Sequence, residues 1–182
     1  NEILSHLGVE VVSEAELGVR IEVEETGETF TDNARLKATA VMQATGLPAV
    51  ADDSGLCVDA LNGGPGVYSA RFGGEGLDDK GRYTLLLEML RGQTDRAAHF
   101  HTSIVCAFPN GDELVCEGEC PGTIAFAPMG EGGFGYDPVF FVPELRKTFG
   151  QLTAEEKASV SHRGKALRAF AVALDDYLKG NE

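Results

Sequence analysis

No apolar run in these 182 residues approaches the ~20 that a membrane-spanning helix needs. No basic and apolar leader opens the sequence, so nothing visible in it directs export, and a cytoplasmic location is expected. Basic residues are scarce: 15 against 29 acids, a net charge of −14. Wide contact with a nucleic-acid backbone needs a basic footprint and is therefore not expected. The four cysteines, Cys57, Cys106, Cys116 and Cys120, form no C-x-x-C pair. With His99 and His101 they match no standard zinc spacing, so reduced thiols in a cytoplasm-like compartment are expected. A hydrophobic content of 43% is ordinary for a globular protein, and the length suits one domain, in two lobes at most.

The charge is unevenly spread. Residues 1–32 hold nine acids and one base, Arg20, whereas residues 144–168 hold six bases against three acids. That local excess suits either a solvated helical face or a pocket for a small anion.

Asn1 to Leu7 reads as the tail of a helix closed by Gly8, followed by a strand over Val9–Val12. Thr29-x-x-Asp32 resembles a capping box for a helix reaching Thr45, with Gly46 and Pro48 as its stop. The apolar run Leu47–Ala51 then predicts a short strand ending on Asp52 and Asp53. Residues 62–76 form a glycine-rich loop, and a helix follows over Asp78–Leu90. Strands are predicted over His99–Phe108, Leu114–Cys120, Thr123–Ala127 and Pro138–Val142, with Asn110-Gly111 as a hairpin signal. Two helices close the chain, the first opened by Thr153-x-x-Glu156. The apolar stripe of the second, Leu167, Phe170, Ala171, Leu174 and Leu178, reads as core packing. The fold class is α/β, with a mixed sheet flanked by helices.

Four segments carry chemistry. Asp52-Asp53 on a strand is a poor arrangement for stability and a good one for a hard divalent cation. The loop Glu24-Glu25-Thr26-Gly27 adds two further acids if the fold brings them close. Gly132-Gly133-Phe134-Gly135-Tyr136-Asp137 lets backbone approach a ligand while Phe134 and Tyr136 offer rings. Asp137 is placed to accept hydrogen bonds from a ring N–H. Lys157, Ser161, His162 and Arg163 surround the start of the last helix, where free N–H groups and cationic side chains favour phosphate.

Together, EETG…TFTDNARLKA, ADDSGLCVDALNGGPGVYSARF, GGFGYDPVFF and LTAEEKASVSHRGKA resemble the inosine triphosphate pyrophosphatase family, of bacterial type. The resemblance is collinear from residue 1 to about residue 178. It implies metal-dependent cleavage of non-canonical purine nucleoside triphosphates to a monophosphate and pyrophosphate. A long mixed sheet flanked by helices is implied too, in two lobes with the nucleotide in the cleft between them, and a homodimer. By matching position, Asp53 would be the catalytic aspartate that activates water and a Mg²⁺ (or Mn²⁺) ligand, Glu24 the second metal-associated acid, and Asp52 would lie close by. Ser54, Lys157 and Arg71 are implied near phosphate or sugar. Phe134, Gly135, Tyr136 and Asp137, with His162 and Arg163, hold and read the base. The family's opening strand and [ST]-G-N-x-x-K loop have no counterpart here, so some 15–20 preceding residues are expected, a length of roughly one strand, loop and helix start. Asp32 stands where the family more often has glutamate. A non-catalytic nucleotide-binding protein and a related pyrophosphatase with another base preference are the alternatives. A phosphatase with a covalent aspartate would want D-x-D.

Overall fold

A computed structural model describes residue 4 and residues 7–180. Its regular elements are α1 (Phe30–Thr45), β1 (Ala49–Val58), β2 (Gly64–Pro65), α2 (Asp79–Met89), β3 (Ala97–Ala107), β4 (Glu113–Ile124), β5 (Phe140–Val142), β6 (Lys147–Thr148), α3 (Ala154–Val160) and α4 (His162–Gly180). The strands form one sheet in the order β2-β1-β3-β4-β5-β6. β2 lies antiparallel on β1, and β5 antiparallel on both β4 and β6. A tight turn through Pro109-Asn110-Gly111-Asp112 joins β3 to β4, closed by the Phe108 N–H on the Asp112 carbonyl.

The chain divides into two compact units: Asn1–Asp53, Thr102–Gly118 and Arg163–Glu182 in one, and Ser54–His101 with Glu119–His162 in the other. In the first, β3 uses both faces. Ile104, Cys106 and Phe108 pack with Phe170, Ala171 and Leu174 of α4, the predicted stripe. Val105 and Ala107 pack with Ala34 and Ala38 of α1, whose lack of bulk lets that helix lie close to the strand. The second unit has an aromatic core. Phe100 stacks on Phe149 at 5.6 Å and meets Phe140 edge-on at 4.7 Å. Arg96 is buried there, and three of its nitrogens donate to the carbonyls of Ile124, Leu90 and Ala125, which compensates for its burial.

The helix starts are those predicted. Thr29 and Asp32 exchange hydrogen bonds in a complete capping box, as do Thr153 and Glu156, and Gly46 closes α1 in the left-handed conformation. Aspartate thus performs the glutamate's capping role at residue 32.

Several expectations are corrected. Val9–Val12 forms no strand: Val11 and Val12 stand exposed, and among the described residues the ends of the sheet are β2 and β6. A strand exists only where a neighbour takes up its backbone groups. β1 does not stop at the two aspartates but runs on to Val58. The two return strands are one, β4, continuous through Pro121-Gly122. A Cβ on Gly122 would stand 2.5 Å from the Phe141 carbonyl oxygen, so the glycine there serves close approach of β5 and not a turn. Loop 62–76 contains β2 and a 3₁₀ turn over Gly66–Arg71. The helix tail expected over Asn1–Leu7 lies largely outside the described residues, although Gly8 has a positive φ of 68°.

Candidate active site

In the first unit the chemistry gathers on Asp53. Its neighbour Asp52 points to the opposite face of β1, because consecutive side chains of a strand alternate. Asn33 and Lys37, four residues apart and so on one face of α1, both reach Asp53. Asn33 is fully buried. Its amide nitrogen donates to Asp53 Oδ2 at 3.1 Å, and its carbonyl oxygen accepts the Gly27 N–H at 2.8 Å. One side chain therefore ties the Glu24–Gly27 loop to the catalytic candidate. Lys37 Nζ lies 2.8 Å from Glu25 Oε1 and 3.7 Å from Asp53 Oδ1.

Two carboxylates thus flank one cationic position. Glu25 is the acid that turns inward, and Glu24 is exposed. Among the described residues no group of three or more His, Cys, Asp or Glu side chains could hold a metal ion. A pair of hard oxygen donors, Glu25 and Asp53, suits Mg²⁺ in its usual mode, with one or two carboxylates completed by water and substrate phosphate. It does not suit an all-protein cage. Asp52 instead lies 3.3 Å, through Oδ2, from Nε of Arg163.

The second unit holds the glycine-rich segment. Gly133 has a φ of 76°, and a Cβ there would fall 1.9 Å from Asp137 Oδ2. Only glycine fits both the backbone and the space. Asp137, 3% exposed, accepts the Phe134 N–H at 3.0 Å and pairs with Lys157 through the same Oδ2. Lys157 sits 4.8 Å over the Phe134 ring and 5.3 Å over that of Phe149. Phe134 is 62% exposed. Tyr136 is buried, its hydroxyl donates to the Ser69 carbonyl at 2.7 Å, and burial pushes its phenol well above the ordinary range. The Gly135 N–H donates to Asp79 Oδ2 at 2.7 Å.

His162 is buried, with its ring stacked on Phe100 at 4.7 Å and 12°. Ser161 caps α3 through its N–H on the Lys157 carbonyl. Ser54 follows Asp53 in β1 and is half-buried. Arg71 ends the 3₁₀ turn on the surface, its guanidinium 5.0 Å over the Tyr68 ring. His99 and His101 lie toward Glu119, 3.9 and 3.0 Å from the same carboxylate oxygen, and the cysteines are free thiols.

Sequence reasoning assigned no role to Asn33 or Lys37, and it offered Glu25 only together with Glu24, as acids that the fold could bring to the aspartates. The signal for the first two was present: polar side chains at i and i+4, next to Ala34 and Ala38, on the face a helix turns to its core. Glu25 was not separable from Glu24 without the conformation of the loop.

The Ham1 family model matches residues 1–173. A dITP/XTP pyrophosphatase from Exiguobacterium sp. is 49% identical over 178 residues, covering 98% of this chain and 91% of the relative. One from Thermus thermophilus is 52% identical over 177 residues, covering 96% and 84% respectively. Among solved structures, a HAM1 protein from Coxiella burnetii superposes with a TM-score of 0.91 at 42% identity, covering 96% of this chain and 90% of the other. The Staphylococcus aureus Ham1 protein gives 0.86 at 44%, covering 95% and 88%. With matches of this extent in both sequence and structure, the chain belongs to the Ham1 family.

Proposed function

We propose that this protein is a nucleoside triphosphate pyrophosphatase acting on dITP, XTP and ITP. It releases the nucleoside monophosphate and pyrophosphate, and so removes non-canonical purines from the nucleotide pool. The observation that carries the reading is the Asp53 carboxylate, oriented by Asn33 and facing Lys37 beside Glu25. Relatives named as dITP/XTP pyrophosphatases, about half identical over nearly the whole chain, supply the substrate class.

In this reading water attacks the α-phosphorus, the bond to the bridging oxygen breaks, and pyrophosphate leaves with the electron pair. Asp53 takes the proton of the attacking water, and Asn33 fixes which carboxylate oxygen faces it. Lys37 offsets negative charge beside that carboxylate. Glu25 and Asp53 would hold Mg²⁺, with Mn²⁺ as substitute, whose chemistry is neutralisation of phosphate charge and activation of water. In the second unit Lys157 and the exposed ring of Phe134 offer a cation and a stacking face to the nucleotide. His162 and Arg163 complete the recognition set. Hypoxanthine and xanthine carry a carbonyl acceptor at position 6, where adenine carries an amino group. A donor aimed there and left unpaired by adenine costs roughly 1–3 kcal/mol, a discrimination of about 5-fold to about 150-fold.

No described helix is long and apolar enough to cross a membrane. A cytoplasmic location suits the substrate, and four free thiols suit a reducing compartment. A homodimer follows from the family resemblance and is read by light scattering. The function is tested by pyrophosphate release from ITP, dITP, XTP, ATP and GTP with Mg²⁺. Rapid release from the first three alone is expected. Nucleotide binding without release, with either Mg²⁺ or Mn²⁺, would instead make the chain a binding protein.

A further inference from the structure

The two adjacent aspartates of β1 do different work. Asp53 is taken up by Asn33 and Lys37 on the α1 side. Asp52, on the other face, has Oδ2 3.3 Å from Arg163 Nε, with side chains 46% and 48% exposed. Arg163 stands in the first turn of α4, which contains no acid of its own. A guanidinium there opposes the positive end of the helix dipole. Asp52 supplies the missing negative charge from the neighbouring strand. The contact falls on Nε, the nitrogen next to the side-chain stem. It therefore sets the direction in which the far edge of the guanidinium points.

We infer that Asp52 is a positioning residue for Arg163 and not a ligand of the metal. It aims the guanidinium that the proposed reaction uses on the nucleotide. A pair this exposed adds little to stability, so its consequence lies in orientation. The inference rests on the pyrophosphatase reading, because it gives Arg163 a substrate to hold.

The test is a double-mutant cycle on the full chain with Asp52→Asn, Arg163→Gln and both together, plus Asp52→Glu. KM and kcat for ITP, the Mg²⁺ concentration giving half-maximal rate, and IMP affinity by calorimetry are measured. Asp52→Asn should raise KM roughly fivefold, the scale of an exposed ion pair. It should leave the Mg²⁺ requirement in place, and Asp52→Glu should recover most of the loss. In the Arg163→Gln background it should add nothing further. The inference is overturned by an equal Asp52→Asn effect in that background or by a raised Mg²⁺ requirement. A lowered melting temperature with KM unmoved overturns it as well. If the parent chain released no pyrophosphate, the enzyme reading would fail on its own, and the cycle on IMP affinity would still show whether Asp52 acts through Arg163. Loss of IMP binding from the parent chain would end both.

Discussion

Asp53 and Asp137 are both nearly buried carboxylates that face a lysine, yet the two regions hold them by different means. Asp53 stands on a strand, and Asn33 and Lys37 approach it from a helix whose start is fixed by a complete capping box. Its lysine is 3.7 Å away and shared with Glu25. Asp137 stands in a glycine-rich turn with no regular element of its own. One oxygen, Oδ2, accepts both the Phe134 N–H and the Lys157 ammonium. The first arrangement is rigid in its backbone and loose in its ion pair, which leaves a carboxylate able to exchange partners during a reaction. The second has a backbone that must be fastened by its side chains, so Asp137 acts as a latch that stretches the turn and parks Lys157 over two rings. Asp137 is 3% exposed, while Phe134 beside Lys157 is 62% exposed.

The largest effect should come from breaking the first region. Asp53→Asn keeps the shape and the Asn33 contact but removes the base, and should cut kcat about 10³-fold with the fold intact by circular dichroism. An unchanged kcat would move the catalytic base elsewhere. In the second region, Gly133→Ala drives a methyl into Asp137 Oδ2 and forces a left-handed φ on a residue that resists it. Displacement of the turn by about 1 Å should cost about 10² in kcat/KM, mostly through KM. Lys157→Met keeps the stem on the rings and removes the charge, and steady-state kinetics should show KM rising about tenfold. Comparable losses in kcat for these two variants would mean that the regions are not divided as described.

Thr29→Ala opens the capping box under Asn33. It should cost about 1 kcal/mol in urea denaturation, with a smaller loss of kcat than Asp53→Asn. The smallest effect is alkaline. Burial raises the Cys57 and Cys106 thiols from 9.0 to about 11. A raised folded-state value means the neutral thiol is favoured by folding. That contribution is complete below pH 9 and is lost as pH rises from about 9 to about 11. Melting temperatures should fall in that window, less so in Cys57→Ala, while alkylation at pH 8 stays slow.

Much of this was legible in short stretches of sequence because the physics involved is short-ranged. The capping boxes at Thr29 and Thr153 depend on residues three apart. The hairpin at Asn110-Gly111 and the stripe from Leu167 to Leu178 are likewise local. The Val9–Val12 strand failed because a strand is made by its partner, which local sequence does not name. β4 passed through Pro121-Gly122 for the same reason: β5, far along the chain, needed the space beside Gly122.

The candidate site divides along that line. The sequence by itself singled out Asp53, Lys157, Phe134 and the glycines around it as candidates, since those residue types occur there in collinear motifs. Tertiary structure alone decided that Glu25 and not Glu24 turns inward, and that Tyr136 belongs to the core. It also decided that Asn33 and Lys37 belong with Asp53, while Asp52 belongs with Arg163. The physical reason is that a side chain's partner is fixed by which face of which element it stands on. For residues 12 to more than 100 positions apart, that is set by how the elements pack.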